Sequence, residues 1–296
     1  MPIPESQLEI WSHQGSVQQS SATYQIVRNA LLKRSAEYAD KDFEVYLQGS
    51  YANDTNIYAE SDVDTVIQLN SIMRSDLSAL PPEQQAAYHR AYADATYRFD
   101  EFKRGVVSRL SNAFGAAAIT LGNKAVKIKA NGSRRSADVI VCYQYRRYIR
   151  FISENDQEYV PGVIFPMAST GEIINYPKRH SANCTVKHQA TNSRFKPMVR
   201  ILKNLRSVLE DAGEIVKDTA PSYYLECMLW NAPDGYFGVS YRDTFCSCIS
   251  WLFKTDRSKL VCVNEQYWLL GENLVQWPAA NCDLFLKAAI RKWKGW

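Results

Sequence analysis

Gly49-Ser50, an interval of eleven residues, and then Asp62-Val63-Asp64 set an anion-binding turn close to a pair of carboxylates. Glycine lets the backbone approach a ligand closely, and a turn of free N–H groups beside a serine hydroxyl suits phosphate oxygens. Side chains two apart in a strand share a face, so Asp62 and Asp64 point one way and Val63 the other. Paired carboxylates are hard oxygen donors of the kind that hold Mg²⁺ together with substrate phosphates. A third carboxylate, Asp138, stands in the β-branched run Ala137-Asp138-Val139-Ile140-Val141-Cys142. It would complete a two-metal site about 3.5–4 Å across, one ion activating an attacking hydroxyl and the other steadying a leaving pyrophosphate. That is the chemistry of nucleotidyl transfer. An isolated Asp-x-Asp is weak evidence, but here the turn, the strand and the third aspartate are separate requirements met together.

These residues need a sheet to position them. Apolar positions Tyr24, Val27 and Leu31 give residues 18–38 helical spacing. Phe43, Val45 and Leu47 then alternate as a strand that ends at Gly49, and residues 62–69 read as a second strand. After Pro81-Pro82 the pattern predicts one long helix to Phe114, with Gly115 as its stop. Residues 119–121 and 125–128 read as a hairpin, and 137–142 as the strand that carries Asp138. Residues 151–190, with Pro161, Pro166, Pro177, Gly162 and Gly171, read as an irregular connection. Beyond it the period is helical. Asn192 or Ser193 is expected to cap a helix bearing Met198, Val199, Leu202, Leu205 and Leu209, and Pro221-Ser222 to open another through Trp230. Further helices are expected over 240–254 and 282–293. The expected fold class is therefore α+β: a core with a mixed β-sheet over residues 1–178, packed against a helical lobe over 179–296, with the active site in the cleft between them.

With 296 residues, 46% hydrophobic and 22% charged, the chain has enough material for a sizeable core. The 13 glycines, 11 prolines and 12% aromatic residues exclude fibrous and disordered classes. The start MPIPESQLEI has no basic region followed by an apolar run, and no run of about eighteen apolar residues occurs anywhere. A soluble cytoplasmic chain with no membrane association is expected, its seven scattered cysteines reduced. The net charge of +4 is too small to indicate a nucleic-acid binder. Its distribution is uneven: between Glu101 and Glu154 the only acid is Asp138, and from Lys178 to Leu209 eight Lys/Arg occur without an acid. Such a tract would suit a polyanion.

The motifs Leu47-Gln48-Gly49-Ser50-Tyr51, Ser61-Asp62-Val63-Asp64 and 137–142, with Arg194 to Lys203 and Pro221-Ser222-Tyr223-Tyr224-Leu225-Glu226, resemble the cGAS/DncV-like nucleotidyltransferases. These enzymes, the CD-NTases of bacterial CBASS anti-phage systems, are distant relatives of oligoadenylate synthetase and DNA polymerase beta. The resemblance spans roughly residues 20–290. It implies a polymerase-beta-like nucleotidyltransferase core with an N-terminal helix braced across both lobes, and a cyclic dinucleotide second messenger as product. It also implies NTP substrates (ATP, UTP or GTP), two Mg²⁺ ions with Mn²⁺ as a substitute, and a downstream effector that binds the product. It places Gln48 with Gly49 and Ser50 among the nucleotide-binding residues. Lys203 and Ser222 would hold the donor triphosphate and Tyr223 would stack on a base. The residues agree with these roles, since a lysine point charge and a helix N-terminus both favour phosphate.

Asn175, which the resemblance sets against the donor base, can donate to O4 and accept from N3–H of uracil, and so points to a product containing uridine. A loop asparagine making a turn is the alternative reading. His180, Cys184 and His188 lie four apart where the cGAS branch has a zinc thumb, but three ligands are too few for structural zinc. No nucleic-acid activator is therefore expected. Two other classes fit the sequence: a nucleotidyltransferase that modifies an RNA or protein acceptor, and a non-catalytic nucleic-acid-binding module. The second is disfavoured because basic and aromatic residues are not interleaved as a single-strand binder needs.

Overall fold

The computed structural model describes residues 2–15, 17–58, 62–167 and 171–296. Along the chain the elements are α1 (Glu5–Ser12), α2 (Gln18–Leu31), β1 (Phe43–Leu47), α3 (Gly49–Ala52), β2 (Val63–Asp76), α4 (Pro82–Ala91), α5 (Phe99–Phe114), β3 (Ile119–Leu121), β4 (Val126–Ile128), β5 (Ala137–Ser153), β6 (Asp156–Met167), β7 (Gly171–Asn175), α6 (Pro177–Ala190), α7 (Phe195–Asp211), α8 (Ser222–Trp230), α9 (Tyr241–Lys254) and α10 (Ala279–Lys294). They form two compact units. One comprises Gln18–Gln48 and Asp62–Pro177; the other comprises Met1–Val17, Gly49–Ser61 and Lys178–Trp296. Among the described residues no helix is long and apolar enough to cross a membrane.

The first unit is built on a seven-stranded sheet in the order β1-β2-β5-β4-β3, with β6 added on β5 and β7 on β6. β2 and β5 run parallel and the remaining pairs antiparallel, so the sheet is mixed as expected. β2 and β5 alternate: Val63, Thr65, Ala137 and Val139 are fully buried while Asp64 and Asp138 are half-buried. The hairpin of β3 and β4 and the start of β5 lie where the period-2 pattern put them. Helix α2 ends at Leu31, earlier than residue 38, because the buried Tyr38 hydroxyl donates to the Leu31 carbonyl at 2.9 Å and the chain turns there.

Two sequence expectations are corrected in this unit. The single helix to Phe114 is two helices, α4 and α5, separated by a stretch that includes Asp94 and Thr96, side chains that compete with helical backbone bonds. Asp100 and Glu101 then favour a fresh N-terminus in the first turn of α5. The stretch from 151 is not irregular, since β5 continues to Ser153 and β6, β7 and α6 follow. Gly162, taken as a loop signal, is a strand residue opposite Tyr145. A Cβ there would lie 3.0 Å from the Tyr176 ring and from the Asn175 carbonyl, so the glycine serves close packing rather than a turn.

The second unit is helical and its core forms around α7, where Met198, Val199, Leu202, Leu205 and Leu209 are fully buried. The stripe follows the helical period read in the sequence. The cap does not. Asn192 and Ser193 both adopt left-handed backbone (φ 48° and 62°), and the Thr191 hydroxyl accepts the Phe195 N–H instead. Trp277 is fully buried and its indole N–H donates to the Thr219 carbonyl at 2.8 Å. Helix α9 is capped twice: the Ser240 hydroxyl accepts from the Asp243 N–H at 3.0 Å, and Glu5 of α1 accepts from the N–H groups of Tyr241 and Arg242. Ser240→Ala should cost about 1 kcal/mol in denaturant unfolding; an unchanged midpoint would mean that Glu5 alone satisfies the helix end. All seven cysteines are free thiols.

Candidate active site

In the sheet unit, β2 and β5 set Asp64 directly opposite Asp138 in parallel register. Neighbouring strands lie about 4.8 Å apart, so the two carboxylates leave the sheet side by side. The N–H of Gln48 donates to the Asp64 carbonyl at 3.0 Å, which extends the β1–β2 ladder to the aspartate itself. Asp62, exposed at the start of the strand, accepts a hydrogen bond from the Ser136 hydroxyl. Burial pushes the Asp138 carboxyl above its ordinary range; Lys127, opposite it on β4, opposes that shift, and the nearby Asp62 charge adds to it. Asp62, Asp64 and Asp138 thus supply three hard oxygen donors, while among the described residues the three-residue group whose ligand atoms all lie within 4.8 Å of one another is His180, Cys184 and Glu226. The aspartate donor set fits a divalent cation such as Mg²⁺. Asn175 ends β7 in this same unit, and its side-chain oxygen accepts the Tyr176 N–H at 2.8 Å.

In the helical unit, Gly49 has φ +73°, a conformation strained for any L side chain, and starts the one-turn helix α3. The N–H groups of Asn53 and Thr55 return to the carbonyls of Gly49 and Ser50 at 3.1 and 2.8 Å, closing a compact loop. Lys203 is 1% exposed and its ammonium donates to the Thr55 carbonyl at 2.8 Å, directly beneath that loop. Ser222 is the first residue of α8, and its hydroxyl accepts from Arg206 at 2.9 Å. The Tyr223 ring is stacked on His180, centroids 5.2 Å apart, and its hydroxyl accepts from Asn264 at 3.2 Å. Burial pushes the Tyr223 phenol well up, so it stays neutral.

The basic tract from Lys178 to Leu209 does not form the polyanion surface that its composition suggested. Arg179 pairs with Glu265, Lys187 with Asp234 and Lys196 with Asp54, while Arg194, Arg200, Lys203 and Arg206 donate to backbone carbonyls. These charges hold the unit together. Sequence reasoning also grouped His180 and Cys184 with His188; the structure instead gathers His180 and Cys184 with Glu226, ligand atoms within 4.8 Å of one another. His188 lies apart, its ring nitrogen accepting the Lys196 N–H at 3.4 Å. Burial keeps the Cys184 thiol protonated, and the Glu226 carboxylate is already engaged by His180 and Thr55, so no metal is assigned there. The buried contact between Glu226 and Thr55 is one that the sequence did not single out. The available signal was one carboxylate in the otherwise apolar run Leu225 to Leu229.

A family model described as the cGAS/DncV-like nucleotidyltransferase C-terminal helical domain matches residues 182–294. The chain is 41% identical over 297 residues to the cyclic UMP-AMP synthase of Rhodothermus marinus, covering 100% of this chain and 99% of that protein. It is 36% identical to the cyclic nucleotide synthase CdnE01 of Staphylococcus haemolyticus, covering 100% of both. A solved structure of the Rhodothermus marinus CdnE c-UMP-AMP synthase with Apcpp and Upnpp superposes with a TM-score of 0.90 at 41% identity, covering 100% of this chain and 98% of that one. On that full-length similarity, and with the aspartates in register, the chain belongs to the cGAS/DncV-like nucleotidyltransferases, the CD-NTases.

Proposed function

We propose that this chain is a cyclic dinucleotide synthase that joins two NTPs by nucleotidyl transfer. The observation that carries the reading is Asp64 opposite Asp138 in parallel register, with the Asp62 charge near enough to act on the half-buried Asp138 carboxyl. In each of two steps a ribose hydroxyl attacks an α-phosphate, the new O–P bond replaces the bond to pyrophosphate, and the hydroxyl proton passes to Asp138. Asp138, half-buried on β5 opposite Asp64, is the general base in this reading. Asp62, Asp64 and Asp138 would hold two Mg²⁺, which activate the hydroxyl and steady the leaving pyrophosphate. Gln48 aligns the strand, Gly49 and Ser50 take the triphosphate oxygens, and Ser222 adds the N-terminal end of α8. Lys203, buried under the loop, contributes its positive charge at short range, and Tyr223 offers an aromatic face to a base. In this reading residues 1–178 are the nucleotidyltransferase core and residues 179–296 complete the nucleotide site.

Similarity to a cyclic UMP-AMP synthase favours UTP and ATP as substrates, and Asn175 supplies the uracil contact. The product would act as a second messenger in anti-phage signalling, read by a separate effector in the cytoplasm. Incubation of the purified chain with four labelled NTPs, Mg²⁺ and phosphatase should leave a resistant cyclic product. Transfer of label to RNA or protein instead would overturn the reading in favour of an acceptor-modifying enzyme. Added DNA or RNA should leave the rate unchanged, because the basic tract of α6 and α7 is consumed by internal partners. Strict dependence on nucleic acid in the same assay would contradict this.

A further inference from the structure

Thr55 sits at the centre of a buried polar network. Its residue is 1% exposed and each of its polar groups is used. The N–H donates to the Ser50 carbonyl at 2.8 Å, the carbonyl accepts from Lys203 at 2.8 Å, and the hydroxyl donates to Glu226 Oε1 at 2.5 Å. Glu226 is itself buried; its other oxygen lies 2.8 Å from His180 Nε2 and 3.4 Å from the Asn53 amide nitrogen. Burial alone would raise the Glu226 carboxyl, but the bonds from His180 and Thr55 and the Lys203 charge hold it below the usual carboxylate range. An ionised carboxylate this deep persists only where its hydrogen bonds are complete.

The same segment is gripped from α7. Lys196, Arg200 and Lys203 stand at i, i+4 and i+7, one face of the helix, and reach respectively the Asp54 carboxylate, the Asp54 carbonyl and the Thr55 carbonyl. Asp54 is held in left-handed backbone, φ 55°. Two helices therefore fix residues 53–55 from their side chains and backbone together, and residues 53–55 in turn hold the carbonyls of Gly49 and Ser50.

We infer that Glu226, acting through the Thr55 hydroxyl, is a positioning residue that sets the Gly49–Ser50 loop in its triphosphate-binding geometry. This rests on the reading of that loop as the triphosphate site. The physical reason is pre-organisation. A loop whose N–H groups are fixed before the ligand arrives loses less freedom on binding, so the network acts on nucleotide affinity more than on the rate of the chemical step. Neither residue touches the reacting atoms.

The test uses the full chain, with a non-hydrolysable ATP analogue and Mg²⁺ followed by calorimetry, alongside kcat, KM and thermal unfolding. Thr55→Val keeps the shape and removes the hydroxyl. It should weaken analogue binding and raise KM about tenfold while kcat at saturation changes less than about twofold, in line with one lost bond to a charged group. Thr55→Ser should restore affinity. Glu226→Gln keeps an acceptor for Thr55 but not the charge, and should weaken binding about threefold. It also serves where Thr55→Val does not fold. A variant set that lowers the unfolding temperature yet binds the analogue as the wild type does would reduce the network to packing and overturn the inference. Wild-type protein that fails to bind any NTP analogue would overturn the triphosphate reading itself, and the two failures are distinguishable.

Discussion

Asp64→Asn and Asp138→Asn should each abolish cyclic product, by at least about 10³-fold, while the folded chain persists. Removal of one ligand from a two-metal site forfeits several kcal/mol of transition-state charge stabilisation, and about 4 kcal/mol is that factor. Asp62→Asn should fall in the same class. The stability readout separates a metal ligand from a structural carboxylate. Asp138 has its carboxyl raised in the folded state by burial, with Asp62 adding to the effect and Lys127 opposing it. A raised carboxyl contributes stability that is complete below its unfolded value near 3.8 and is lost as pH rises through the folded value. In the metal-free protein the ionised form of Asp138 is therefore the one that burial penalises. Asp138→Asn should unfold at the same temperature as wild type or higher without Mg²⁺, and should lose the stabilisation that added Mg²⁺ and NTP give the wild type. Undiminished product formation by any of the three variants would remove that residue from the site.

The wild-type enzyme, offered all four NTPs, should incorporate uridine, and Asn175→Ser should shift incorporation toward purines. Asn175 closes β7, opposite Val163, where Gly162 lets the next residue pack closely. The N–H of Tyr176 donates to its side-chain oxygen, which orients the amide. A carbonyl oxygen has two lone pairs, so it can also accept from uracil N3–H while the amide nitrogen donates to O4. Serine cannot do both. A base edge left unpaired costs roughly 1–3 kcal/mol, about a 5- to 150-fold change in preference at equal concentrations. Mass spectrometry of products from UTP and ATP in competition reads this directly. Metal-dependent stabilisation should be unaffected by the substitution. Consumption of ATP and GTP alone by the wild type would leave Asn175 as a backbone-capping residue only.

What the sequence determined by itself was local. The alternation that buries Val63 and Thr65 and leaves Asp64 half-buried follows from a period of two, the Gly49 conformation follows from the absence of a side chain, and the apolar stripe of α7 follows from a period of 3.6. The hairpin of β3 and β4 and the start of β5 were legible for the same reason. Lone punctuation misled: Gly162 and Pro161 read as loop and are paired strand residues, because a glycine beneath a tyrosine ring and a glycine in a turn look alike in one dimension. Only the tertiary structure decided that Asp64 faces Asp138, since register between strands distant in sequence depends on pairing that no local period encodes. It also decided the fate of the basic tract. Composition counted its charges, but whether a lysine meets solvent, phosphate or a carbonyl such as that of Thr55 depends on which segment folds against its helix face. Burial of Glu226 among Thr55, His180 and Lys203 is of the same kind: one carboxylate in an apolar helix signals a partner, and the fold alone names it.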